Sequence, residues 1–479
     1  MNDPKGEYVK FNEPVTISGP VELWLIKVET AMMDCLQKIM LATLKAYPKN
    51  RKSAKEKWVK EWPGMLLIIG GKIMWTSACT KALASVVKGN KSAIKRLKKK
   101  QVKYLAELSD FVRGDLNSVE RRKLVALITM EIHSRDVMER MIKANAKSPT
   151  DFSWLSQLRY YFVENEAESQ FGLVRTKQTN TELEFGYEYV LSPSNSLSTS
   201  HFKNSYNTYN PNRYQGNNGR LVVTALTDRC VLTLTTALHL CRGGNPLGPA
   251  GTGKTETVKD LGKNLAKYVV VFNCSDGLDY KSVGRMFSGL CQSGGWGCFD
   301  EFNRIEIEVL SVIAGQILSI MTAISQKKKK FVFEGVTIRC RWSCGIFVTM
   351  NPGYAGRTEL PDNLKSLMRP VAMMAPDLAQ IAEVMLMAEG FRESRILAKK
   401  AVTLYSLMVQ QLSKQSHYDY GLRSLKAVLG CCGALKRTQP NMPEDIIVRL
   451  VLSYYLFFSP LYSIEKKHTL TQTNSTIKS

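Results

Sequence analysis

Apolar and polar positions follow three rhythms along this chain. From Pro20 onward, Trp24, Val28, Ala31, Cys35 and Ile39 recur three or four residues apart, which lays one apolar stripe along a helix. Pro20 suits a first helical position, and Glu22 falls near the positive end of the helix dipole. Ser53-Ala-Lys-Glu56 has the form of a capping box, and Pro63-Gly64 marks a break. Met65 to Val87 is apolar enough to predict a buried helix. Lys88 to Lys103, dense in Lys and Arg with Ile94 and Leu97 on one side, predicts a basic amphipathic helix. Ser118 to Ala144 predicts another long one. Residues 1–17 carry no period. Near residue 152 the rhythm shortens: Phe152 to Phe162 is rich in aromatics, and Gly172 to Thr176 and Phe185 to Val190 read as short strands.

The third rhythm begins at Arg220. Leu221-Val-Val-Thr is apolar, Asp228 to Leu240 predicts a helix, and Tyr268-Val-Val-Val-Phe272 has the β-branched character of a buried parallel strand. Val283 to Cys291 predicts a helix, Trp296 to Phe299 an apolar strand, and Glu306 to Ser325 a long helix. Phe331 to Arg341 reads as a hairpin and Gly345 to Met350 as a second buried strand. After Pro376 the pattern is helical only, in three segments to about residue 436. Strands alternating with helices predict a parallel sheet covered on both faces. The expected fold class is α plus α/β. Its parts are a helical array with short strands at its end (1–190), a Ser/Asn-rich flexible insertion (191–219), a large α/β subdomain (220–375), a small helical lobe (376–446) and a divergent tail (447–479).

Composition narrows the chemistry. A net charge of +24 invites an anionic partner or a solvated basic face. The basic runs at Lys88–Lys103 and Lys327–Lys330 lack interleaved aromatics for stacking bases, which argues against a nucleic-acid-dependent enzyme. The 11 cysteines contain no C-x-x-C, so there is no zinc signature, and the pattern suits reduced thiols of an intracellular protein. The N-terminus has no apolar secretory core, and the longest apolar runs, Met65–Gly71 and Leu450–Phe458, are too short to span a bilayer, so no membrane partner is expected. His133 reads as a surface or satisfied histidine.

One stretch carries specific chemistry. Gly248, Pro249, Ala250, Gly251, Thr252, Gly253, Lys254 and Thr255 read G-x-x-x-x-G-K-T, the loop that cradles nucleotide phosphates. Its glycines let successive N–H groups turn inward, Lys254 can reach the β- and γ-phosphates, and the Thr255 hydroxyl can sit on Mg²⁺. Further on, the apolar Trp296-Gly-Cys-Phe299 ends in Asp300-Glu301. Two carboxylates at one strand end are electrostatically awkward unless a cation sits there. Asp300 is expected to hold Mg²⁺ through water, and Glu301 to polarise the attacking water. Asn351, at the next strand end, can orient that water, and Arg423 in the small lobe can contact the γ-phosphate. ATP and Mg²⁺ are the expected cofactors.

Longer motifs then point to a family. Gly248 to Thr257, Phe272-Asn-Cys-Ser-Asp-Gly-Leu-Asp-Tyr280, Trp296-Gly-Cys-Phe-Asp-Glu-Phe-Asn-Arg304 and Met350-Asn-Pro-Gly-Tyr-Ala-Gly-Arg-Thr-Glu-Leu-Pro361 closely resemble the first AAA+ module of dynein heavy chains, axonemal more than cytoplasmic. Trp154 to Tyr161 and Phe185 to Tyr189 resemble the end of the linker before that module. The resemblance implies an ATPase module of a microtubule motor, with hydrolysis coupled to linker movement, located in the cytoskeleton of a cilium or flagellum. It implies as partners the other AAA+ modules of the ring and the intermediate and light chains, with microtubules reached only through parts absent here. It places Arg369, in Leu-Met-Arg-Pro, at the arginine-finger position that serves a neighbouring site. It also implies that an isolated module binds nucleotide with little turnover, since the finger for its own site would come from elsewhere. Two departures stand out: the insertion 191–219, and the sequence after Val448, beyond which the second to sixth modules are not expected.

Overall fold

The computed structural model describes residues 1, 3, 6–16, 18–48, 52–164, 172–187, 219–275, 277–352, 360–411 and 420–453. The insertion, residues 353–359 of the last motif and the tail from 454 lie outside these. The chain divides into two compact units, Met1–Leu105 with Leu116–Pro376, and Ala106–Asp115 with Asp377–Ser479.

The first unit opens with the helical array: α1 (Val21–Lys45), α2 (Lys52–Glu61), α3 (Gly64–Val87), α4 (Ala93–Val112, whose last residues belong to the second unit), α5 (Ser118–Lys143) and the short α6 (Phe152–Leu155). Pro20 caps α1 instead of starting it, and α2 begins at Lys52, which puts Ser53 inside the helix rather than at a cap. Asn117 closes a capping box on α5, accepting from Glu120 N at 2.8 Å while Glu120 accepts from Asn117 N. A small antiparallel sheet follows, β1 (Arg159–Val163), β2 (Leu173–Gln178) and β3 (Thr181–Glu184). β3 ends at Glu184, so residues 185–187 of the expected strand are not strand, and 188–190 lie outside the described residues; Phe185 and Tyr187 bury their rings edge to face against the array.

The α/β part consists of α7 (Ala225–His239), β4 (Gly243–Leu247), α8 (Lys254–Leu265), β5 (Val269–Asn273), α9 (Tyr280–Ser293), β6 (Trp296–Asp300), a single 3-10 turn (Phe302–Arg304), α10 (Ile307–Ser325), the hairpin β7 (Lys330–Phe333) and β8 (Val336–Arg339), β9 (Gly345–Val348), α11 (Asp362–Leu367) and β10 (Met368–Ala372). Five strands form one parallel sheet in the order β10-β4-β9-β6-β5. The three inner strands β4, β9 and β6 are buried along almost their whole length, as a sheet with helices on both faces requires. Helix α10 is 19 residues long and nearly uncharged, a longer apolar stretch than the runs singled out from the sequence. It buries Leu310, Ile313, Ile317 and Ile320 in the core under the sheet, while Ile307, Val312 and Leu318 of the same helix are exposed.

Array and sheet share polar as well as apolar contacts. Tyr160 Oη donates to Asn264 O at 3.3 Å, Gly186 N to Leu265 O at 2.8 Å, and Arg341 pairs with Glu29 at 2.9 Å. His133 and Arg140 of α5 converge on Asp228 of α7, at 3.1 and 2.6 Å. His133 is thus half-satisfied: Nε2 has a carboxylate partner, while its buried Nδ1 has none.

In the second unit, α12 (Leu378–Ala388), α13 (Ser394–Gln411) and α14 (Leu422–Thr438) enclose a core of Leu386, Phe391, Leu397, Tyr405, Leu425 and Leu429. Glu444 accepts from the backbone N of Arg392 at 3.0 Å and of Glu393 at 3.1 Å, which satisfies donors just ahead of α13.

Candidate nucleotide site

The loop 248–253 leaves the C-terminal end of β4, a strand with little apolar character in sequence. The chain is held in register past the strand by Met350 N to Pro246 O at 3.3 Å and Gly248 N to Met350 O at 3.2 Å. Only glycine fits at 248, where a Cβ would run into the Met373 carbonyl oxygen. Gly253 adopts a left-handed conformation (φ 83°) as it caps α8, so the first N–H groups of that helix face the loop. Lys254 is buried, and its Nζ folds back to donate to Gly248 O at 2.8 Å and Pro249 O at 2.7 Å. Thr252 Oγ1 closes the loop on Pro249 O at 2.9 Å.

The acid pair stands at the end of β6, two strands away from β4. Thr255 Oγ1 donates to Asp300 Oδ1 at 2.8 Å, joining the loop to this strand end. Between them ends β9. Thr349 Oγ1 donates to Asp300 Oδ1 and accepts from Glu301 N at 3.2 Å. Two residues on, Asn351 Nδ2 donates to Glu301 Oε1 at 3.2 Å, and Asn351 O accepts from Asn303 Nδ2 at 3.2 Å. Glu301 is itself left-handed (φ 55°), a conformation that a non-glycine residue keeps only when its surroundings enforce it. Here the enforcement comes from the Thr349 hydroxyl, from Phe302 N donating to Thr349 O at 3.0 Å, and from an ion pair between Glu301 and Arg304 across the 3-10 turn. Beneath the acids, burial pushes the Cys274 thiol up to about 12, with Asp300 and Glu301 adding to the effect, so this sulfur stays protonated and inert.

Thr255 and Asp300 together present hard oxygen donors at one point, the donor chemistry magnesium takes alongside phosphate oxygens and water. The fold therefore brings Gly248–Thr255, Asp300, Glu301 and Asn351 into one cluster. Arg369 lies elsewhere, exposed on the edge strand β10, and Arg423 is an exposed residue of α14 in the second unit. Sequence reasoning passed over Thr349 and Arg304. Arg304 sits inside a quoted motif, but only the tight turn after Glu301 shows its reach; Thr349 gives no signal until β9 is placed between β4 and β6.

Comparison with known proteins agrees with this geometry. Residues 209–457, just over half of the chain, match the family model described as the hydrolytic ATP binding site of the dynein motor region. The chain is 52% identical over 445 residues to dynein axonemal heavy chain 2 of Mus musculus, covering 93% of this chain and 9% of that protein. It is 51% identical over 449 residues to the dynein-1-beta heavy chain of the flagellar inner arm I1 complex of Chlamydomonas reinhardtii, covering 94% and 9%. To dynein axonemal heavy chain 1 of Mus musculus it is 47% identical over 447 residues, covering 93% and 10%. The chain spans about a tenth of the length of these relatives.

Proposed function

Since this chain belongs to the family of the hydrolytic ATP-binding site of the dynein motor region, we propose that it binds and hydrolyses ATP as one module of a larger axonemal microtubule motor. The observation that carries this reading is the meeting of Thr255, Asp300, Thr349, Glu301 and Asn351 at three adjacent strand ends beside the phosphate loop. In this reading Lys254 leaves the carbonyls of Gly248 and Pro249 for the β- and γ-phosphates, and the N–H groups of the loop and of α8 take the remaining phosphate oxygens. Thr255 and Asp300 would hold magnesium, which neutralises charge on the bridging phosphate oxygens when bound. Glu301 polarises water, and Asn351 fixes the direction in which Glu301 points. Residues 1–190 serve as the linker end, mounted on the α/β part, and their movement is coupled to hydrolysis. Arg423 reads the γ-phosphate, Arg369 serves a neighbouring module, and the partners are the remaining modules of a dynein ring with its intermediate and light chains in the axoneme of a cilium or flagellum.

Two substitutions separate binding from chemistry. Lys254→Ala removes the principal cation and is expected to abolish ATP binding by calorimetry. Glu301→Gln keeps shape and is expected to leave binding intact while lowering turnover at least 100-fold in a motor carrying the complete ring, on the order of what loss of a positioned proton acceptor costs. Equal ATP affinity in wild type and Lys254→Ala would overturn the site.

A further inference from the structure

A partly open space lies away from the phosphate loop, between α3 and α5 of the array and α7 and α8 of the α/β part. It is a cavity of about 40 Å³. Met130, Leu158, Leu221, Val223 and Val231 supply apolar wall, and the polar groups that reach it are unusual. Lys72 is almost wholly buried, at 4% exposure. Its Nζ donates to Ser134 Oγ at 3.1 Å and Met130 O at 3.3 Å, and among the described residues no carboxylate lies within ion-pair distance of it. One turn along the same helix, Trp75 stands with its ring centroid 5.1 Å from that nitrogen, and its buried Nε1–H has no acceptor. His133 contributes a buried Nδ1 that is also without a partner, its Nε2 being engaged by Asp228. The two acids that line the space are already satisfied. Asp228 is held by His133 and Arg140; Asp260 accepts from Leu221 N and Asn264 Nδ2, each at 3.0 Å, and pairs with Arg220.

A buried donor left without an acceptor costs free energy comparable to a lost hydrogen bond. A buried amine with no carboxylate in ion-pair distance costs more still when it is charged. Both costs fall if the amine nitrogen carries a small anionic group that accepts from Trp75. We propose that Lys72 is a carbamylation site, taking up carbon dioxide on Nζ inside this cavity. The neutral amine donates its lone pair to the carbon of CO₂, one C–O π bond becomes the negative charge on oxygen, and one N–H proton leaves to solvent. Amine and CO₂ thus give carbamate and a proton, with no other reactant. Trp75 Nε1 is the open donor for the new oxygens; the Ser134 hydroxyl already donates to Met130 O at 3.0 Å. Burial favours the reactive form of the amine: it pushes Lys72 down to about 8, although Glu131 pulls the other way. Glu131 is itself pushed upward by burial, toward the neutral acid that tolerates an anion nearby. The modification replaces a cationic wall by an anionic one at the seam between array and sheet.

The full chain, equilibrated with ¹³C-bicarbonate at pH 8, is expected to show one protected carbamate resonance. Trapping with a trialkyloxonium salt followed by peptide mass spectrometry should place it on Lys72. Occupancy at fixed dissolved CO₂ should rise between pH 7 and 9. Trp75→Phe, which keeps the ring and removes the donor, should lower occupancy about tenfold, in line with loss of one hydrogen bond to a charged group. The wild-type trapping result decides even if Lys72→Met fails to fold. Carbamate trapped only on the N-terminal amine or on exposed lysines, or equal occupancy in Trp75→Phe, would overturn the assignment.

Discussion

At the scale of the residue, Thr349 carries the most consequence for its size. One hydroxyl holds Asp300 on one side and the backbone of Glu301 on the other, so it fixes both acids without being either. Groups that orient a metal-binding carboxylate are typically worth 10–100-fold in metal affinity. Thr349→Val is therefore expected to weaken the magnesium-dependent part of ATP binding by about tenfold. Affinity for ADP in the absence of magnesium should be unchanged. Calorimetry with and without the metal checks this, and equal losses in both conditions would mean that the threonine supports only the fold. Lys254 makes a related point: two loop carbonyls accept from its buried ammonium, so on the proposed reading the charge keeps partners when nucleotide departs.

At the scale of the element, the seam between α5 and α7 is held by a buried carboxylate with two basic partners. Burial alone would raise the Asp228 carboxyl, but His133 and Arg140 more than offset it and hold it at about 2. A carboxyl lowered on folding stabilises the folded state above its unfolded value near 4, and that contribution is lost as the pH falls through about 2. It amounts to about 2 kcal/mol. Asp228→Asn is expected to cost about that much in chemical denaturation at pH 7. The gap between variant and wild type should narrow as the pH drops below 4. A gap that stays constant down to the acid limit would show that packing, and not charge, accounts for the loss. The elements themselves were unevenly legible in the sequence. β5, β6 and β9 announce themselves as β-branched or apolar runs, and α5 as a long helical stretch, although its cap at Asn117 shows only in the structure. β4 and β10 do not. Gly243-Gly-Asn-Pro-Leu247 is small because a side chain on Gly244 would collide with Leu234 and Phe347, a constraint from the neighbouring strand and helix. Met368-Arg-Pro-Val-Ala372 carries a proline that only an edge strand tolerates. The phosphate loop and the acid pair were legible because each is contiguous; Thr349 and Arg304 were not, because adjacency of strands and one tight turn give them their partners.

At the scale of the whole molecule, the residues proposed for phosphate, metal and water lie at the strand ends of one sheet, and the only arginine that the described contacts place beside them, Arg304, is paired with Glu301. Arg369 is exposed on the edge strand β10, three strands away from the strand that carries the acids. Ground-state binding uses what is present; rate depends on what is not, and an arginine finger contributes about 10³–10⁵ in turnover. The chain by itself is therefore expected to bind ATP and turn it over very slowly. Steady-state turnover against protein concentration, with Arg369→Ala alongside, checks this. Fast turnover that is independent of concentration and survives Arg369→Ala would show a self-sufficient enzyme.

The middle strand has a further consequence. Thr349 and Asn351 are two positions apart on the tip of β9 and so project to the same side, one toward each acid. Inserting or deleting a single residue in β9 turns both away together. On the proposed reading, magnesium handling and water handling are thereby tied to one register. Drift in the length of this strand cannot leave a half-working intermediate that grips nucleotide but mishandles water; it disables both tasks in the same step.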